Sequence, residues 1–226
     1  MDVYKHVQEL LGAGIDTNST TLDWAMAEML LNPRVLKKVQ EEVDNVVGME
    51  RMVEVADLPN LKYTNAVVKE TLRKHPAAPL LLPRLTRETC EIDMQSSSGE
   101  KHSYHIPSGT RVFVNAWAIS NDPLTWKEPD KFLPERFVAG GAQAEIDVRG
   151  QQFDLIPFGS GRRMCPGMTL ALGVLELTLA SLAHWFEWEV HEPIDMRERF
   201  GIAVTREQPL YATPIKIRLS HHLVAR

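Results

Sequence analysis

The chain has 226 residues, 44% hydrophobic and 24% charged, with a formal net charge of −5. This is the profile of a soluble globular protein able to bury on the order of 70% of its surface. The net acidity, with no basic tail or acidic block, argues against a nucleic-acid binder. Two cysteines, Cys90 and Cys165, make no disulfide framework, so a reducing compartment is the default.

The opening Met1-Asp2-Val3-Tyr4-Lys5-His6 has neither the charge nor the apolar run of a secretory leader. Residues 1–32 read as one long helix, stopped by Asn32-Pro33 because proline disfavours helix in the residue before it. At full length it would run on the order of 45 Å. Its centre is weak: Gly12-Ala13-Gly14 precedes Asp16-Thr17-Asn18-Ser19-Thr20-Thr21, whose side chains compete for backbone hydrogen bonds. A local opening of the ladder, or a capped break between two shorter helices, is expected there.

Residues 33–47 form a second, amphipathic helix with Val35, Leu36, Val39, Val43 and Val46 on one side. A polar connection with Asp57-Leu58-Pro59-Asn60 leads to a third, residues 61–74, ended by His75-Pro76. Tyr63, Val67 and Glu70 share one row, so Glu70 continues an apolar stripe inward with Arg73 in reach. A buried ion pair is expected.

From Pro76 the texture becomes extended. Leu80-Leu81-Leu82-Pro83-Arg84 is followed by strand-like pieces at 86–92, 104–107 and 110–115, with a hydrophilic loop at 95–103. A proline- and aromatic-rich section (121–137) and a Gly/Ala-rich loop (138–152) come next. The apolar run 168–186 approaches the length of a membrane span, but Glu176 in its middle favours a buried helix. The end, 201–219, is strand-rich. The whole reads as mainly α with a small antiparallel sheet to one side.

Between these lies Phe158-Gly159-Ser160-Gly161-Arg162-Arg163-Met164-Cys165-Pro166-Gly167. It sets one cysteine after a glycine-rich, doubly basic loop and before a helix start, with Pro166 as the first helical residue. That setting favours charged sulfur, a ligand for a soft or borderline metal, with haem iron the leading candidate.

Four signatures occur in order: Ala13-Gly14-Ile15-Asp16-Thr17, Glu70-Thr71-Leu72-Arg73, Pro134-Glu135-Arg136-Phe137, and the Cys165 loop. Together they resemble the cytochrome P450 family, the Cys165 loop being highly specific and Glu-x-x-Arg alone nearly uninformative. The connecting text, such as His75-Pro76-Ala77-Ala78-Pro79-Leu80-Leu81-Leu82-Pro83-Arg84, is most similar to plant microsomal members that hydroxylate flavonoids and other phenolics. The resemblance covers residues 1–226 as a partial domain, the C-terminal portion of the P450 fold. It places the membrane anchor, an early haem-contacting helix and most substrate loops upstream. The loop at 95–103 is longer than the family pattern.

The resemblance implies a haem-thiolate monooxygenase that uses O2, inserts one oxygen into a small apolar organic substrate, and receives electrons from NADPH through NADPH–cytochrome P450 reductase. Cys165 would ligate the iron of haem b (iron protoporphyrin IX), donating electron density that favours O–O cleavage. Arg163 and Arg84 would meet the haem propionates, Phe158 would shield the sulfur, and Gly159 and Gly161 would let amides approach it. Asp16 and Thr17 would relay protons on the distal face; for Thr17 the alternative is a hydroxyl bonded back to its own helix. Glu70, Arg73 and Arg136 would form a structural cluster, Ala13, Leu80–Leu82 and residues 201–204 would touch substrate, and Arg162, Lys127 and Lys131 would face the reductase. The implied location is the cytosolic face of the endoplasmic reticulum. Two rival readings are a haem-thiolate isomerase or dehydratase needing no O2, and a truncated fragment without activity.

Overall fold

A computed structural model describes residues 3–96, 99–201 and 203–219. Helix α1 (Val3–Leu31) is continuous. The expected break at its centre does not form, because the polar side chains add hydrogen bonds to the ladder instead of replacing them. Thr17 Oγ1 donates to Ala13 O at 2.6 Å, Asn18 Nδ2 to Gly14 O at 2.6 Å, and Thr21 Oγ1 to Thr17 O at 2.8 Å. The C-terminal half of α1 buries Trp24, Ala25, Met26, Ala27 and Met29, while Tyr4, Leu10, Leu11 and Ile15 of the other half are exposed.

Asn32 ends α1 by donating from N and Nδ2 to Glu28 O, and Pro33 opens α2 (Pro33–Val47), where a missing N–H costs nothing. The buried row is Val35, Val39, Val43 and Val47, a strict i, i+4 line, with Leu36 and Val46 half-buried beside it. The connection is a 3₁₀ turn, Val55–Asn60, with a reciprocal cap between Glu54 and Asp57. Arg51 reinforces it with a two-pronged bond to Asp57 at 2.7 and 2.8 Å.

Helix α3 (Lys62–Lys74) lies in the core; a short α4 (Ala116–Ser120) is capped by Asn115, whose Oδ1 accepts from Ala118 N. Helix α5 (Met168–Trp185) is long and apolar enough to cross a membrane. Here it buries Leu175, Leu179, Ala180 and Ala183 in one core with α1, α2 and α3, as expected of a core helix. Proline 166 belongs to the turn before it, not to its first position.

The β part is four separate antiparallel ribbons, where one small sheet was expected. These pair β1 (Arg84–Leu85) with β4 (Arg111–Val112), and β2 (Cys90–Gln95) with β3 (Lys101–Ile106). They also pair β5 (Phe186–Glu189) with β8 (Thr213–Ile217), and β6 (Glu198–Arg199) with β7 (Thr205–Arg206). The predicted loop at 95–103 is mostly the end of the β2–β3 hairpin, which stays paired out to Gln95 and Lys101; Ser97 and Ser98 lie outside the described residues.

Candidate functional site

The loop before α5 is built by backbone geometry that side-chain-bearing residues resist. Gly159 and Gly161 take φ of +73° and +72°, in the left-handed region. Gly159 N donates to Ile156 O, Met164 N to Gly161 O, and Cys165 N to Phe158 O at 2.9 Å. Ser160 Oγ closes the loop onto Gly150 O at 2.6 Å. Phe158 packs against the hydrophobic core, so Cys165 hangs from an anchored residue through its own amide. Cys165 is half-buried and free, and Cys90 is exposed on β2.

The leucine segment runs beside this loop: a Cβ on Gly159 would stand 3.8 Å from Leu81 Cδ1. Leu81 itself has a φ of +49°, a conformation a leucine adopts only where its surroundings impose it. Arg84, at the end of that segment, pairs with Val112 across β1–β4. The loop thus holds Phe158, Gly161, Arg163 and Cys165 together, with Arg84 on the adjoining segment. Among the described residues, neither the Arg84 nor the Arg163 guanidinium has a hydrogen-bond or ion-pair partner, and both residues are exposed.

Asp16 and Thr17 stand on α1, apart from the loop. Asp16 is exposed, and the half-buried Thr17 has its hydroxyl on Ala13 O. Of the segment 201–204, Ile202 lies outside the described residues, and Val204 is buried.

Glu70, Arg73 and Arg136 do converge. Arg73 Nε and Nη2 donate to Glu70 at 2.7 and 2.9 Å, and its remaining donors reach Ser120 O and Pro129 O. Leu133 N and Arg136 Nε also donate to Glu70 Oε1, and Arg136 turns its other nitrogens to Lys127 O and Glu128 O. This ties α3 to the Pro134–Phe137 turn.

These residues fit a haem. Among the described residues no group of three or more His, Cys, Asp and Glu side chains could hold a bare metal ion. What they offer is one half-buried free cysteine, two unpaired guanidiniums and exposed apolar residues on the flanking segments, Leu82, Phe113 and Leu170 among them. That donor set suits a metal whose other ligands travel with it in an apolar ring bearing carboxylates.

Three residues important to this region escaped the sequence reading: Trp24, Glu28 and His75. Trp24 and Glu28 are one turn apart on α1, and His75 caps α3. Their i, i+4 spacing and an aromatic neighbour to a helix-ending proline were the available signals.

The cytochrome P450 family model matches residues 1–213. The chain is 49% identical to tabersonine 16-hydroxylase 1 of Catharanthus roseus, over 93% of this chain and 39% of that protein. It is 44% identical to a flavonoid 3',5'-hydroxylase of Crocosmia x crocosmiiflora (92% and 39%) and to the flavonoid 3'-monooxygenase of Petunia hybrida (91% and 39%). Among solved structures, a zebra fish cytochrome P450 with abiraterone superposes with a TM-score of 0.77 at 32% identity, over 93% of this chain and 47% of that one. The chain therefore spans about two fifths of the length of these curated relatives. A cysteine loop of this geometry, the buried Glu70–Arg73–Arg136 cluster and these matches lead to one conclusion: the chain belongs to the cytochrome P450 family.

Proposed function

We propose that this chain is the C-terminal portion of a haem-thiolate monooxygenase acting on a small, flat apolar substrate of the plant phenolic or flavonoid kind. The observation that carries the reading is Cys165, free and half-buried at the tip of a loop held by two left-handed glycines. When bound, haem b supplies the activation of O2, one oxygen of which enters the substrate.

The chain's residues take the following roles. Cys165 provides the thiolate, kept in place by its amide bond to Phe158 O. Arg163 and Arg84 would hold the propionates by charge-assisted hydrogen bonds, and Phe158 and Gly161 shape the loop around the sulfur. Thr17 holds a proton on Oγ1, at present donated to Ala13 O, and rotation of the hydroxyl releases it toward the distal space. The exposed carboxylate of Asp16 restores that proton from solvent. Ala13, the leucines at 80–82 and the segment 201–204 exclude water and select apolar groups.

Electrons come from NADPH through NADPH–cytochrome P450 reductase, docked where Arg162 and Lys127 offer positive charge to an acidic partner. Lys131 contributes less freely, because its Nζ pairs with Glu128 at 2.5 Å. The enzyme works at the cytosolic face of the endoplasmic reticulum.

The exposed half of α1, with Tyr4, Leu10, Leu11 and Ile15 in solvent, favours a second statement. The polypeptide 1–226 by itself binds haem poorly and turns over no substrate. Haem titration into the purified chain, read by the reduced, carbon-monoxide-bound spectrum, tests it; a stable thiolate-type band with turnover overturns it. In the longer enzyme, Cys165→Ser abolishes that band and oxygen insertion together, and their survival would reject the monooxygenase reading.

A further inference from the structure

Three segments of the fold meet at one buried tryptophan. Trp24 of α1 donates from Nε1 to Val204 O at 3.0 Å, a bond spanning 180 residues. Val204 N in turn donates to Ala77 O at 2.9 Å, at the start of the stretch leading to the leucines. From there Leu81 N donates to Ala78 O and Trp117 N to Pro79 O, both at 3.0 Å.

The indole is itself fixed in orientation. The His75 ring lies flat against it, centroids 4.1 Å apart and planes 3° from parallel. Nε2 of His75 is 2.8 Å from Glu28 Oε1, which also receives Lys74 Nζ at 2.8 Å. Next to Trp24, Asp23 takes a two-pronged bond from the buried Arg206 at 2.7 and 3.0 Å. Arg206 belongs to β7, so adjacent residues of α1 clamp the β6–β7 hairpin from two directions.

The same side of α1 carries Thr17. Thr17, Thr21, Trp24 and Glu28 follow i, i+4, i+7 and i+11 spacing, which places Trp24 about 10 Å along the axis from Thr17. Any buried indole N–H needs an acceptor, and Trp126 and Trp188 find theirs six or seven residues away. Trp24 spends its N–H on the hairpin, whose answering N–H holds the leucine stretch.

We propose that Trp24, stacked on His75 and backed by Glu28, is a specificity-determining positioning residue. It sets the spacing between the Thr17 side of α1 and two substrate-facing segments, the leucines at 80–82 and the hairpin residues Ala203 and Val204. The inference rests on the monooxygenase reading for what those segments face, but the coupling itself needs no haem.

Amide hydrogen exchange on the purified chain tests the coupling. Trp24→Phe keeps an aromatic ring against His75 and removes the N–H. It should speed exchange at Val204, Leu81 and Trp117 by about tenfold, the scale of one lost hydrogen bond, and leave the amides of Val39 and Val43 in α2 unchanged. Trp188→Phe, which loses a comparable bond to Leu182 O, should leave all of these amides unchanged. Uniform acceleration, or none at Val204, overturns the proposal. If Trp24→Phe does not fold, Arg206→Lys must speed Val204 selectively, and its failure to do so is equally decisive. In the haem-loaded longer enzyme, Trp24→Phe should change KM and the ratio of oxygenated products several-fold while the thiolate-type spectrum persists. Unchanged KM and product ratio reject the specificity role. Absence of that spectrum in the unsubstituted enzyme instead defeats the monooxygenase reading and leaves the exchange result standing.

Discussion

Arg73 and Glu70 lie three residues apart on α3 with both side chains wholly withdrawn from solvent, Nε to Oε2 at 2.7 Å. Two ions there are tolerable only because nearly every donor and acceptor has a partner: Glu70 accepts from Arg73, Leu133 N and Arg136, and Arg73 also reaches Ser120 O and Pro129 O. The pair therefore fixes the path of the chain between α4 and the Pro134–Phe137 turn more than it adds net stability.

Removing one partner leaves the other charged and buried. Arg73→Met should lower unfolding stability by about 3–5 kcal/mol in urea denaturation. A loss below about 1 kcal/mol would show the cluster to be as weak as a surface pair.

Glu135 gives an acid-sensitive contribution. Burial alone raises its carboxyl, but Lys38 at 2.8 Å, Tyr63 OH at 3.0 Å and Arg34 outweigh that and hold it at about 2. Because the folded value lies below the ordinary 4.5, the carboxylate stabilises above that pH and the contribution fades as pH falls toward 2. Urea midpoints should show Glu135→Gln weaker than wild type at pH 7, with the gap closing toward about pH 2. A gap independent of pH contradicts this.

Glu176 has the opposite sign. Its burial in α5 pushes the carboxyl up, only partly offset by Asn65 Nδ2 at 2.6 Å and by Lys69 and Lys62. The protonated form suits the fold, so its contribution is complete in acid and is lost as pH rises through the elevated value. Glu176→Gln keeps an acceptor for Asn65 and removes the charge. Thermal melts should find it equal to wild type in acid and more stable at pH 7; the reverse order refutes the assignment.

The cysteine loop should distinguish its glycines. A Cβ on Gly150, at φ +69°, would stand 2.7 Å from Gly159 O, a backbone atom that cannot step aside cheaply. Gly161, at φ +72°, has open space around it. Gly150→Ala should cost about 2–3 kcal/mol and speed alkylation of Cys165, whereas Gly161→Ala should cost about 1 kcal/mol. Equal effects would mean that loop strain alone, not the contact with Gly159, matters at Gly150.

The helices were legible where punctuation and periodicity agreed. Asn32-Pro33 marked the start of α2, and the row Val67–Glu70 placed a carboxylate in the core. The expected opening in α1 failed because Thr17, Asn18 and Thr21 bond to carbonyls one turn back, a choice composition cannot show. Strand β5, Phe186-Glu187-Trp188-Glu189, alternates apolar and charged residues but is only four residues long and follows α5 with no Gly or Pro between them, so nothing in the sequence marks where the helix ends.

By itself the amino-acid order determined the helical character, the inward-facing Glu70, the family and the cysteine of the glycine-rich loop, because each is written in local spacing or an unusual loop. Tertiary structure alone decided that Trp24 meets Val204, that Arg206 meets Asp23, and that Leu81 lies against the loop of Cys165. Those partners are far apart in sequence, and only the burial of α1, α3 and α5 in a common core brings them into contact.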